Sequence, residues 1–340
     1  MRVARYYSRS DVRVEQMEVP EPGPGEMLVQ VKACGLCGSD LMEWYADSKA
    51  PAVLGHEPVG FVSRLGSDVD GFVPGDRVFV HHHVPCLACH YCLRGNFSCC
   101  ETFKRNGIDP GGFAEYIRVS RLNVERDVLR LPDTLAFEEA TLIEPTACAI
   151  RGVKRAVVSP GDTIFIIGAG VSGLLFTQLC KLWGAGLTVV SDPVNYRLQK
   201  ATELGADVVV NPAEEDVQTA LDGPTHGVGA DVVIVTVGSA SVIEQGLRLL
   251  SKGGTVLIYA PLAPGDTVGV DMCDLLFSEK TVASTYSCGP DDTRLALDFI
   301  HEGRVRTAGL VTHRFGLDEV DEAIRLASSH GESLKVVIVP

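Results

Sequence analysis

The stretch Thr163–Gly173, reading TIFIIGAGVSG, restricts the possible folds of this chain more than any other. A run of apolar and β-branched residues ends at Gly168, and Gly168, Gly170 and Gly173 stand in the spacing Gly-x-Gly-x-x-Gly. Such a run suits a strand buried on both faces of a parallel sheet. The next segment is helical in period, with Val171, Leu174, Leu175, Leu179 and Leu182 on one face and Gly184 and Gly186 as a stop. A glycine turn between a strand and a helix has a mechanical reading. Gly168 allows the tight turn, Gly170 lets a pyrophosphate approach the backbone, and Gly173 lets the helix pack close to the strand. The helix N-terminus, starting at Val171, then faces the phosphates. A second strand, Leu187–Ser191, ends at Asp192, where an acid that holds the ribose belongs. This half of the chain is therefore read as binding a dinucleotide.

From Thr163 onward strand and helix alternate. Strands are predicted at 163–168, 187–191, 207–210, 231–237, 254–260 and 280–285. Helical stretches lie between them, such as Tyr196–Leu204 closed by Gly205 and Val242–Leu250 closed by Gly253. Six strands of this kind make a doubly wound sheet whose ligand lies at the carboxyl ends of the strands. Val237, Gly238, Tyr259 and Ala260 sit at two such ends. They are candidates to line a nicotinamide, and ordinary strand termini are the alternative. Helices at Asp291–Glu302 and Asp318–Ala327 precede a final strand, Lys335–Val339, and this tail is expected to rejoin the first domain because the sheet already has its six strands.

The first half reads differently. Short strands at Arg2–Tyr7, Val12–Met17, Met27–Ala33, Val59–Leu65, Asp76–Val80 and Phe113–Val119 are separated by Pro- and Gly-rich turns, and few helices are expected. One loop carries Cys37-Gly38-Ser39-Asp40 and another carries Gly55-His56-Glu57. A thiol, an imidazole and an adjacent carboxylate make an open zinc site plausible, with a position free for substrate. On residue type alone, Cys37 also reads as a core cysteine and His56 as a turn histidine. Glu144 adds a carboxylate just before Pro145, but spacing does not bring it near the others.

Eleven cysteines are many for a chain that starts without the apolar core of a signal peptide, and five of them fall between Cys86 and Cys100. Clustering of this kind points to metal rather than to a disulfide scaffold. Cys86, Cys89, Cys92 and Cys100 give C-x2-C-x2-C-x7-C, enough thiolates to close a tetrahedron around a structural zinc. Cys99 competes with Cys100, and an iron–sulfur cluster is the rival occupant, with no second redox motif to accompany it. His81, His82 and His83 are expected at a strand end beside this lobe rather than in a metal site. The formal charge of −14 argues against nucleic acid as a partner, and no apolar run is long enough to cross a membrane. The expectation is a cytoplasmic chain acting on a small molecule.

Taken together, the motifs resemble the zinc-dependent medium-chain alcohol and polyol dehydrogenases, in particular the sorbitol and threonine dehydrogenase branch. The resemblance spans essentially the whole chain. It rests on Cys37-Gly38-Ser39-Asp40, Gly55-His56-Glu57, the four-cysteine lobe, Leu142-Ile143-Glu144-Pro145 and the glycine turn with Asp192. It implies a GroES-like, mostly-β catalytic domain (residues 1–145 and 287–340, with the zinc lobe at 86–100) and an inserted six-stranded Rossmann domain (146–286). It also implies two zinc ions per subunit. The catalytic one would be held by Cys37 and His56 with Glu57 and Glu144, the carboxylates alternating with water or substrate, and the structural one by Cys86, Cys89, Cys92 and Cys100. Ser39 would hydrogen-bond the substrate hydroxyl, Asp192 would favour NAD over NADP, and Arg197 would flank the adenosine. Family members are usually dimers or tetramers.

The implied reaction is oxidation of a secondary alcohol to a ketone. Zinc acts as a Lewis acid that favours loss of the hydroxyl proton, and NAD takes the hydride. Two departures stand out. Met42 and Glu43 occupy positions where many relatives carry a histidine, and only 18 residues separate Cys37 from His56, a shortened loop that includes Trp44 and Tyr45. A zinc-free quinone or enone reductase of the same fold and a non-catalytic NAD sensor are the alternatives, and the complete ligand set speaks against both.

Overall fold

The computed structural model describes residues 1–329 and 331–340. The chain divides into two compact units. The first comprises Met1–Ala147, Cys288–Gly303 and Thr307–Pro340, and the second comprises Cys148–Ser287 and Arg304–Arg306.

The second unit is built on a six-stranded parallel sheet. Its spatial order is Val208–Val210, Leu187–Ser191, Thr163–Ile167, Ala230–Val235, Leu250–Ile258, Thr281–Ser284. Strand order reverses between Thr163–Ile167 and its neighbour Ala230–Val235, and open α/β sheets bind ligands at the carboxyl end of such a switch point. The predicted strands are all present, though with shifted ends. Ala230–Val235 stops before Val237 and Gly238, which lie in the following loop. Leu250–Ile258 begins where the helix Ala240–Leu249 ends, so Gly253 lies within strand rather than acting as the helix stop. Its positive φ of 79° explains why a glycine stands there, a conformation other residues adopt only with strain.

The first unit is mostly β, with an eight-stranded and a three-stranded sheet. In the larger sheet the strand Met27–Gly35 is flanked by Glu57–Leu65 on one side and Lys335–Ile338 on the other, both antiparallel to it. The tail thus pairs back into the first unit through Val337 opposite Gly35. As expected, helices before Glu144 are few and short, Arg121–Asp127 being one of them. A longer one, Ile143–Ala156, runs over 14 residues from the end of that half. The second opens with Glu144 and Pro145. A proline in the first turn gives up no hydrogen bond, and an acid there meets the positive end of the helix dipole. Pro145 therefore sits at the start of a helix.

Apolar side chains fill each unit separately. Val29, Val31, Cys34, Val62, Val78, Val80, Phe113 and Ile117 anchor the core of the first unit, and Phe165, Val189, Val233, Val235 and Val256 that of the second. Among the described residues no helix is long and apolar enough to cross a membrane.

Candidate active site

The first constellation grows out of the ends of three neighbouring strands. Gly35 closes Met27–Gly35, and the chain turns through Cys37 into a short 3-10 helix, Gly38–Leu41, that carries Ser39 and Asp40. Glu57 opens the strand opposite, in register with Gly35, and His56 immediately precedes it. The ligand atoms of Cys37, His56 and Glu57 come within 4.8 Å of one another. That spread, with one sulfur, one nitrogen and one oxygen, fits a transition ion such as zinc.

The surroundings of the trio orient it. The buried Asp40 accepts a hydrogen bond from the Cys37 backbone N–H at 3.0 Å and sets its other oxygen 3.5 Å from His56 Nδ1. A carboxylate on one ring nitrogen directs the other toward a metal. Burial alone would lower the His56 pKa, but the charges of Asp40 and Cys37 hold it well above the ordinary histidine value. Glu57 is fully buried and ion-paired with Lys335, whose ammonium also donates to the Leu36 carbonyl at 3.2 Å. Burial pushes the Glu57 carboxyl above its usual range; the Lys335 charge pulls it back, and Glu144 adds to the rise. Lys335 itself stays charged, because Glu57 and its acidic neighbours outweigh burial. The pair reaches across the strand between its two partners, which is possible because Gly35 has no side chain. A Cβ there would fall on the Glu57 carboxylate.

Glu144, at the start of its helix, is 5% exposed. Its carboxylate lies within 4.8 Å of ring nitrogens of His81 and His82. The histidine run therefore does not simply flank the cysteine lobe as expected. His81 comes directly after the strand Arg77–Val80, and the His82 ring stands 4.8 Å, centroid to centroid, from that of His56. Lys335, Asp40, His81 and His82 are residues of this region to which the sequence reading assigned no role. The three-histidine run was the available signal for two of them. A single lysine heading an apolar strand offered none.

A second constellation is the cysteine lobe. The sulfurs of Cys86, Cys89, Cys92 and Cys100 lie within 4.8 Å of one another, with Cys89 and Cys92 at 3.5 Å and Cys86 and Cys92 at 3.8 Å. Backbone N–H groups point at the sulfurs, Cys89 N–H at Cys86 Sγ (3.2 Å) and Cys86 N–H at Cys100 Sγ (3.3 Å). Amide donors aimed at thiol sulfur suit thiolates gathered around an ion. Burial opposes ionisation of Cys100, but the amides of Cys86 and Phe103 bring it down to about 6. Cys100 is buried in the cluster while Cys99 is exposed and outside it, which decides between the two.

The third constellation belongs to the second unit. Gly168 takes φ 99°, Gly170 caps the helix Val171–Leu182, and a Cβ on Gly170 would meet nothing within 4 Å. A Cβ on Gly173 would strike the Gly168 carbonyl, so helix and strand touch there backbone to backbone. Open space over Gly170 and forced contact at Gly173 are the two features a dinucleotide turn requires. Asp192 is buried at the end of Leu187–Ser191. Its Oδ2 accepts from Ala169 N–H at 2.8 Å and its Oδ1 from Val194 N–H at 2.9 Å, and Arg197 Nη1 stands 3.9 Å away. The Tyr259 ring packs edge-on against Phe176 at 5.0 Å.

Comparison with known proteins shows the family. The family described as alcohol dehydrogenase GroES-like domain matches residues 23–133, and that described as zinc-binding dehydrogenase matches 172–302. L-threonine 3-dehydrogenase of Pyrococcus abyssi is 36% identical, over 95% of this chain and 94% of its own length. Sorbitol dehydrogenase of Bacillus subtilis is 31% identical over 100% of this chain and 97% of its own. A solved structure from Sinorhizobium meliloti, described as a zinc-binding dehydrogenase and bound to NADP, superposes with a TM-score of 0.89 at 33% identity, covering 100% of this chain and 99% of that one. The chain belongs to the zinc-dependent medium-chain alcohol and polyol dehydrogenases, and it is an oxidoreductase of that family.

Proposed function

We propose that this protein oxidises a secondary alcohol within a polyol, cyclitol, sugar or amino alcohol to the ketone, with NAD as hydride acceptor. The convergence of Cys37, His56 and Glu57 within 4.8 Å carries this reading. When bound there, zinc supplies Lewis acidity toward the alcohol oxygen, and NAD supplies the hydride acceptor. The protein's own residues do the rest. Asp40 orients His56, and Lys335 holds Glu57 within the trio; with zinc bound, Glu57 and Glu144 would be the carboxylates that share its remaining position with substrate or water. Ser39, partly exposed two residues beyond Cys37, hydrogen-bonds the substrate hydroxyl and starts the proton on its way out. In the other unit, Gly168, Gly170, Val171 and Gly173 form the pyrophosphate seat. Asp192 takes the adenosine ribose, Arg197 flanks the adenine, and Val237, Gly238, Tyr259 and Ala260 line the nicotinamide. Asp192 carries the preference for NAD, since a carboxylate at that place repels a 2′-phosphate. Zinc at Cys86, Cys89, Cys92 and Cys100 is structural, because four thiolates leave no open position. Residues 1–145 and 287–340 form the catalytic domain and 146–286 the cofactor domain of a cytoplasmic homo-oligomer.

The test is NADH appearance with polyols, inositols, threonine and simple secondary alcohols, each with and without a zinc chelator. Turnover on one group, lost on chelation, is the expected result. Cys37→Ala is expected to lower kcat about a hundred- to a thousandfold, the order of loss when a preorganised catalytic group is removed, while NAD still binds. Wild-type turnover by that variant removes the catalytic assignment.

A further inference from the structure

The run His81-His82-His83 follows the strand Arg77–Val80, and its middle ring stands 4.8 Å, centroid to centroid, from that of His56. We propose that His82 is a specificity-determining residue, its ring hydrogen-bonding a hydroxyl on the carbon next to the one oxidised. The preferred substrates are then vicinal diols within polyols or cyclitols rather than isolated alcohols. This rests on the alcohol oxidation proposed above and narrows its substrate class. With His82 beside a member of the trio, a group one carbon from an oxygen bound there is within reach of its ring.

Of His56, His81, His82 and His83, three have Nδ1 committed. His56 Nδ1 lies 3.5 Å from Asp40, His81 Nδ1 2.6 Å from Asp127, and His83 Nδ1 2.6 Å from the Asn106 carbonyl. His82 Nδ1 is buried and has no hydrogen-bond partner among the described residues, although the large majority of buried polar side-chain atoms are paired. The side chain is not loose. Its ring packs 4.2 Å from that of His83 and 5.5 Å from that of His81, two rings fixed by bonds of their own. A ring held by its neighbours, with a polar atom still unspent, is what a preorganised recognition group requires. The residue is partly exposed. A half-turn about its Cβ–Cγ bond, a broad two-fold torsion, carries Nδ1 to the opposite edge of the ring and breaks no hydrogen bond at that atom. A hydroxyl suits the ring because it both donates and accepts, and so matches either neutral tautomer. A diol thus satisfies an atom that a simple alcohol leaves unpaired, and it is the unpaired group that makes such a site discriminate.

The test compares sorbitol with isopropanol, and myo-inositol with cyclohexanol, on the zinc-loaded holoenzyme. Wild type is expected to show a kcat/KM at least about a hundredfold higher on one of the polyols than on its matching monoalcohol. His82→Phe keeps an aromatic ring and removes its polar atoms. It is expected to lower kcat/KM on that polyol about ten- to a hundredfold, the worth of one hydrogen bond to a buried group, and to narrow the ratio to the monoalcohol. Zinc content and melting temperature should stay at wild-type values. His82→Asn, which returns an amide donor and acceptor near the position of Nδ1, should recover part of the ratio. Should His82→Phe not fold, His82→Ala gives the same readout. If wild type shows no preference for the polyol, if it turns over threonine alone, or if His82→Phe keeps the preference, the proposal fails while the alcohol oxidation stands. Equal losses on polyol and monoalcohol, or loss of zinc, make His82 a structural residue and overturn the proposal too. If wild type oxidises no alcohol of the wider panel, the oxidation itself falls and this proposal with it.

Discussion

Tyr6 shows how a single polar contact sets a pH limit on the first unit. Its ring is 2% exposed, and its hydroxyl donates to Asp47 Oδ1 at 2.8 Å, tying the first strand to the short helix Glu43–Asp47. Burial, and then the bond to Asp47, push the phenol up from 10.0 to about 12. A folded-state pKa above the unfolded one means that its contribution is fully present below pH 10 and is lost as pH climbs through about 12. Tyr6→Phe should cost about 1 kcal/mol at pH 8, the usual net worth of such a bond. It should also flatten the decline in denaturant stability between pH 10 and about 12. An unchanged alkaline profile in Tyr6→Phe counts against this assignment. The ligand types at Cys37, His56 and Glu57 were equally readable one residue at a time, because short motifs carry them. Lys335 was not, since its role depends on a strand that joins the sheet 278 positions after Glu57 (335 less 57).

At the scale of elements, the strand–turn–helix from Thr163 to Leu182 was legible almost to the residue, because apolar run, glycine spacing and helical period all agree there. Its weak point is Gly173. A methyl group there meets the Gly168 carbonyl oxygen, and backbone has little room to yield. Gly173→Ala should therefore push the helix from the strand and weaken NAD binding at least about tenfold, the cost of roughly 1.4 kcal/mol in misplaced phosphate donors. Isothermal titration calorimetry with NAD measures this directly, and wild-type affinity would show that the helix has room to shift. Gly170→Ala meets no atom in the protein itself. It should fold normally and lose affinity only because its methyl group occupies the phosphate approach. Element boundaries were less legible where a glycine or proline admits two readings. Pro145 opens a helix and Gly253 sits in a strand, and each residue type is equally at home at a break.

Across the whole molecule, one face of the second unit lacks cover. Among the described residues the edge strand Thr281–Ser284 pairs on one side only, and Met272, Leu276 and Phe277 on the preceding helix are 65%, 70% and 80% exposed, with Val282 at 45%. An unpaired edge beside exposed apolar side chains invites pairing with a second copy of itself. Phe277→Asp should therefore shift the protein toward monomer in light scattering while leaving the melt of the monomer unit close to wild type. A wild-type protein that is already monomeric would exclude this interface. The sequence by itself determined the doubly wound sheet, the glycine turn, the cysteine lobe and the chemical type of the ligands, because each depends on spacings within a short segment. Only the tertiary structure decided which distant residues share a site. Glu57 meets Lys335 across Gly35, His82 comes beside His56, and His81 lies between Asp127 and Cys288. The physical reason is that sheet pairing sets these neighbours. Strand register brings together residues far apart in the chain, and no local periodicity records which strands will lie side by side.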